Sequence, residues 1–220
     1  MLKSKPLPTL IRKKAVIIQL FFCIFIILIS VLSVYFYKHN PTPPATVLPP
    51  KQDKDITPYL QHGDIILRSG AGAWSKYFRE FSPADKRFSH VGIVCIENDE
   101  IKVLHSEGDD LTGIGSVKLV PLDIFISESE DIGISRLKNT DPNIFVQSAK
   151  KYQNHPFDWK FDADDASAIY CTELVSLALK DCKKNIILKK KKKIIPVDSC
   201  LDPDFFEEII IPTDNAQSIQ

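Results

Sequence analysis

Three residues of this 220-residue chain have the side-chain types that thiol hydrolysis requires. Such chemistry needs a sulfur that can become a thiolate, an imidazole that takes its proton, and a third polar group that orients the imidazole. Cys171 opens the segment YCTELV, His90 stands in SHVGIV and His105 in VLHS. Cys171 falls at the start of a predicted helix, where unpaired N–H groups and the macrodipole favour an anion. Its own N–H there is a candidate oxyanion donor. His90 and His105 are separated by one tight turn, so on adjacent strands their side chains can meet. Glu107 shares the face of His105 by the period of two in a strand and is the alternative orienting group. Each residue also has a plainer role: a buried helical Cys is ordinarily packing, and a strand His an ordinary core histidine. His90, His105 and Cys171 would equally serve as a zinc set with water in the fourth position. Residue type and spacing leave these alternatives open.

The elements that must position these residues read as an α+β pattern. Asp64–Arg68, Ser89–Ile96, Ile101–His105, Val117–Val120 and Ile132–Leu137 are aliphatic and β-branched runs expected as strands, with Glu97–Glu100 the turn of a hairpin. Asn143–Gln153 has helical spacing behind Asp141 as cap and Pro142 as first position. In Tyr170–Asp181, Leu174, Leu177 and Ala178 share one helix face.

Five short pieces occur in a fixed order: GDIIL (63–67), FSHVGIV (88–94), VLHS (103–106), FDWKFD (157–162) and YCTELV (170–175). Together they resemble the YaeF/YiiX family of permuted papain-like amidases, relatives of the NlpC cell-wall peptidases in which the His strand comes ahead of the Cys helix. The resemblance covers about residues 57–211. It implies a circularly permuted papain-like fold with a central antiparallel sheet. It makes Cys171 the nucleophile, His90 the general base and His105 the third polar group. Some members carry Glu in that third role, which keeps Glu107 as the alternative. Asp64 and Tyr170 become candidate pocket residues, each with an equally plain role as a turn into a strand and a core aromatic. The implied activity is that of a cysteine amidase or peptidase without cofactor or metal, acting on cell-wall peptide amides. The fold is also similar to that of lecithin:retinol acyltransferase-like enzymes, so a lipid ester or acyl transfer is the second expectation. A non-catalytic binding module on the same fold is the third.

The charge balance, 28 basic against 28 acidic residues, averages two unlike parts. Six bases and no acid precede position 50, leaving residues 51–220 with a net charge of −6. An acidic domain argues against a nucleic-acid partner. The run 15–37 (AVIIQLFFCIFIILISVLSVYFY) holds 23 uncharged residues, long enough for a hydrocarbon core of roughly 30 Å. Five bases precede it, so the expected topology is a basic cytoplasmic segment 1–14, a transmembrane anchor 15–37, a Pro-rich spacer 38–56, an extracytoplasmic hydrolase domain 57–211 (periplasmic in a Gram-negative cell) and a tail 212–220. A cleaved signal peptide has a shorter apolar region than this one. Cys182 and Cys200 are candidates for pairing in such a compartment. Lys189–Lys193 is expected as a solvated loop, with an electrostatic patch for anionic lipid or acidic polymer as its functional alternative. Asp162, Asp164 and Asp165 lack the 12-residue calcium loop, and no Gly-rich phosphate loop calls for a nucleotide.

Overall fold

The computed structural model describes residues 18–19, 21–32, 55–70, 73–109, 111–127, 129–182 and 186–212. Within the expected anchor, residues 21–32 are helical, while both ends of the apolar run lie outside the described residues. No helix among the described residues is long and apolar enough to cross a membrane.

Residues 53–220 form a compact unit of their own. Its sheet has six strands: β1 (Ile65–Ser69), β2 (His90–Glu97), β3 (Glu100–Gly108), β4 (Gly115–Pro121), β5 (Asp131–Leu137) and β6 (Phe206–Ile209). The spatial order is β4-β3-β2-β1-β5-β6, and every neighbouring pair is antiparallel. The helices are α1 (Ala73–Phe81), α2 (Leu122–Ile126), α3 (Pro142–Lys150) and α4 (Cys171–Cys182).

The central strand β1 is buried along its whole length, because its two faces serve two cores. Ile65 and Leu67 pack with Val91, Ile93 and Leu104 against Phe145, Val146 and Ala149 of α3 and Leu174, Val175 and Ala178 of α4. Ile66 faces the other way, with Val94, Val103, Ile134, Phe125 of α2 and Ile56 from the N-terminal approach. A strand covered on both faces must be continuously apolar, which is why IIL carries no alternation.

The expected α+β elements are present, with shifts of a residue or two at most ends. Asp141 caps α3 as read: its carboxylate accepts the Asn143 N–H at 2.8 Å, with Pro142 in the first turn. That helix stops at Lys150 rather than continuing to Gln153. The N–H groups of Tyr152 and Gln153 bond three residues back, and Asn154, at φ 70°, turns the chain to donate to Val117 O. Three elements were not expected, one of them the five-residue α2 that follows β4 directly. In α1, Trp74, Tyr77, Phe78 and Phe81 do fall at helical spacing, so the signal was present. β6 is a four-residue edge strand with exposed Glu207 and Glu208, too short and too charged to read as one.

The lysine run makes a tight turn, with Lys192 at φ 60°. Lys190 pairs with Asp164 at 2.6 Å, Lys193 pairs with Asp162, and Lys191 donates to Phe81 O at 3.0 Å while lying over the Phe81 ring. Three of the five lysines therefore pin neighbouring segments. Cys200 is a free thiol in the core.

Candidate active site

The site forms where β2 and β3 part. Their pairing runs from Glu97↔Glu100 to Ile93↔Leu104. β2 stays bonded to β1 through Arg68↔His90, and β3 stays bonded to β4 through Gly108↔Gly115. The two strands thus splay at the end that carries His90, His105 and Glu107. All three belong to the same face by alternation, with Phe125 beneath the imidazoles at 5.7 and 5.1 Å between ring centroids. His90 Nε2 lies 2.9 Å from His105 Nδ1, the rings nearly perpendicular. Gly92 makes this packing possible: a Cβ there would stand 2.3 Å from Val103 Cγ1 and 3.3 Å from the His105 Cβ.

Cys171, the first residue of α4, packs with the core that contains Val91, on the face of the sheet opposite Phe125. The backbone N–H groups of Val91, Thr172 and Cys171 lie near enough to its sulfur to favour the thiolate, without a hydrogen bond to the sulfur among the described residues. The thiol therefore lies against the peptide that joins His90 to Val91. Both neighbours of Cys171 are fixed by one residue of the downstream chain. Tyr170 Oη accepts the Ile195 N–H at 2.8 Å, and Thr172 Oγ1 donates to Ile195 O at 2.7 Å. Glu173 adds half of a capping box, its carboxylate accepting the Tyr170 N–H at 3.4 Å. Ser106 Oγ donates to Ile169 O, tying the chain ahead of the helix to β3.

Burial dominates the electrostatics. It pushes the Cys171 thiol up to about 11, against the pull of the three N–H groups and with the Glu107 charge adding to the rise. It pulls His105 down to about 4, opposed by Glu107, and holds His90 well below the usual range, helped by the Arg68 charge. Burial thus favours the neutral thiol and the neutral imidazoles over their charged forms. The helix start does not by itself produce a thiolate here. Burial likewise pushes Glu173 up to about 8.

Glu107 is held by two cations, Arg68 on β1 and Lys118 on β4, the latter at 3.2 Å. Arg68 also donates to Phe125 O at 2.8 Å and stacks on that ring. Neither cation was singled out from the sequence; the available signal was an Arg inside an apolar strand, which must find a partner when buried. Asp64 does not join the site. It stands four residues from Arg68 at the opposite end of β1, bonded through both oxygens to Arg136 at 2.8 and 2.9 Å, and it lines a separate cavity of about 160 Å³ with His62 and Phe145. Tyr170 is a core residue, its ring 5.7 Å from Phe161 and its phenol bonded inward.

By donor type, His90, His105 and Glu107 suit a divalent ion, with ligand atoms within 4.8 Å of one another. Glu107 thus takes the place that Cys171 holds in the zinc set drawn from spacing. The buried Nε2 of His105 has no partner among the described residues, whereas Arg68 and Lys118 already neutralise Glu107. The donor set fits an ion only if Glu107 turns from these two cations.

The arrangement can be set beside known proteins. No curated protein matches the chain. The crystal structure of metalloprotein YiiX from Escherichia coli O157:H7 is similar over 69% of this chain and 97% of its own, at 17% identity and a TM-score of 0.56, which establishes the shared fold. The family model for permuted papain-like amidases of the YaeF/YiiX type, family C92, matches residues 59–199, a span that contains both the splayed strands and the Cys171 helix. The chain belongs to the YaeF/YiiX family of permuted papain-like amidases.

Proposed function

We propose that this protein is a membrane-anchored cysteine hydrolase that cleaves an amide, with Cys171 as nucleophile, His90 as general base and His105 as the residue that orients His90. The observations that support this reading are the nearness of the Cys171 sulfur to the N–H of Val91, the residue after His90, and the pairing of His90 Nε2 with His105 Nδ1. With Nε2 paired to His105, Nδ1 is the His90 atom that would serve the thiol in this reading.

Starting from neutral groups, the thiol proton passes to His90 as the S–C bond forms at the substrate carbonyl. In this reading the N–H groups of Cys171 and Thr172 at the helix start would take up the negative charge that develops on the substrate carbonyl oxygen. Collapse of the adduct breaks the C–N bond, and the amine leaves with the proton held by His90. Water, losing a proton to His90, then displaces the thiol and releases the acid. A cell-wall peptide amide is the proposed substrate, on the grounds of the family and of an extracytoplasmic domain.

Peptide mass spectrometry after mixing the protein with peptidoglycan peptides, and separately with acyl lipids, tests this. An acyl adduct on Cys171 that is absent from Cys171→Ala and lost in His90→Ala is the expected result. No adduct on Cys171 with either substrate class would overturn it, and an adduct with lipids alone would move the substrate to an acyl ester.

A second reading rests on the His90–His105–Glu107 donor set and on the description of the structurally similar YiiX as a metalloprotein. In it these three side chains would hold a divalent ion, which would act as a Lewis acid toward a carbonyl. Elemental analysis decides: near-stoichiometric metal lost in His105→Ala supports it, and a metal-free protein purified without chelator removes it.

A further inference from the structure

The elements that build the site also carry an apolar rim that the hydrolase reading does not use. β1 ends at Ser69 and leads to α1, β3 ends at Gly108 and leads to the turn 109–114, and the segment 157–169 leads into Cys171. Each therefore emerges at the splayed end of the sheet. On them stand Leu111 at 95% exposure, Ile114 at 78%, Trp159 at 62%, Tyr77 at 45% and Trp74 at 44%.

Two groups of contacts are seen at this end. The Trp74 ring is 6.0 Å from Tyr77 and 5.7 Å from Phe161. Trp159, two residues before Phe161, packs on Gly113, where an added Cβ would meet the Trp159 Cβ at 3.2 Å. The turn that presents Leu111 is locked. Asp109 accepts from Leu111 N at 3.1 Å and Thr112 N at 2.8 Å, and Gly113 N donates to Asp109 O at 2.8 Å. The fixed turn thus keeps Leu111 almost wholly in water at the same end of the sheet as four other exposed apolar side chains, and it is such a grouping that marks an interaction surface.

We propose that this rim docks on a lipid bilayer, so that the Cys171 site works at the membrane face. Indole and phenol rings beside bare aliphatic tips, with exposed Lys76 and Lys160 among them, match the water–lipid boundary, where aromatic rings sit at headgroup depth and cations lie outside. The chain supplies the occasion: the 23-residue apolar run is joined to the domain by 17 residues, 38–54, a reach of about 50 Å even in extended polyproline II. The proposal rests on the anchor being in the membrane.

The chain has two tryptophans, Trp74 and Trp159, and both belong to the rim, so emission excited where tyrosine does not absorb reports on it alone. The full chain is reconstituted in phosphatidylcholine vesicles with plain acyl chains or with chains brominated near the headgroup end, and flotation is scored in parallel. Loss of about half of the emission in brominated vesicles, for Trp74→Phe and for Trp159→Phe alike, is expected for rings at the interface. Leu111→Asp with Ile114→Asp should restore emission, whereas Cys171→Ala should leave the quenching unchanged. Protein that floats with the vesicles yet keeps full emission, and is quenched by aqueous iodide, overturns the rim proposal and leaves the anchor standing. Exclusion of both quenchers overturns it in favour of a protein partner. Failure to float, without quenching, removes the anchor and the rim together.

Discussion

His90 Nε2 and His105 Nδ1 face each other at 2.9 Å, across two strands that have stopped pairing. One imidazole nitrogen is thereby fixed, which in the proposed mechanism would orient His90 as the base. The relation predicts a graded series. His90→Ala should lower kcat/KM on an amide substrate by about 10²–10⁴-fold, the range for a lost general base. His105→Ala should cost less, and His105→Gln, which can still accept from or donate to Nε2, less again. Equal losses for His105→Gln and His90→Ala would show that His105 acts on more than orientation.

The Cys171 thiol, raised to about 11 by burial, should be alkylated slowly at pH 7, with a rate that climbs with pH and shows no plateau near the ordinary thiol value of about 8.5. Peptide-level mass spectrometry separates Cys171 from the buried Cys95 and Cys200. A plateau below pH 8, abolished in His90→Ala, would instead indicate a resting thiolate–imidazolium pair.

Stability should fall on both sides of a mildly acidic optimum. His105 titrates at about 4 in the folded chain against an ordinary 6.5, so its contribution is present above 6.5 and is lost as pH falls toward 4. Glu173, raised from 4.5 to about 8, contributes in the opposite sense: its share is present below 4.5 and is lost as pH rises through 8. Thermal unfolding against pH should therefore flatten on the alkaline side in Glu173→Gln and on the acid side in His105→Gln. Profiles unchanged from the parent would rule out these two groups as the cause.

Ile195 holds both neighbours of Cys171, so the bonds can be removed one at a time. Tyr170→Phe strands the buried Ile195 N–H and should destabilise the domain by about 1–3 kcal/mol. Thr172→Val strands the Ile195 carbonyl with a comparable cost. Denaturant unfolding measures both, and Cys171 alkylation in the same variants reports whether the helix start has shifted.

Gly92→Ala should cost about 1–3 kcal/mol or more, because its methyl would fall 2.3 Å from Val103 Cγ1 in a packed core. The His105 ring should move as well, visible as altered imidazole resonances in NMR spectra.

Much of this architecture is written in local sequence. The apolar runs of β1, β2 and β5, the hairpin turn at 97–100, the Asp141–Pro142 cap and the amphipathic α4 all follow from periodicity and turn chemistry, which act over a few residues. Five short pieces in a fixed order, with SHVGIV and YCTELV contributing most, pointed to the family that the family model matches. What folding alone decided depends on contacts between distant residues. Arg68, Glu107 and Lys118 come from three strands and meet only through register. Asp64, adjacent in sequence to the run that ends at Arg68, is carried to the far end of the sheet because an extended strand separates its ends by about 3.3 Å per residue. The acidity of Cys171 was the least legible property: position at a helix start argues for a thiolate, but burial, which no local pattern encodes, outweighs the helix and sets the thiol as a neutral group.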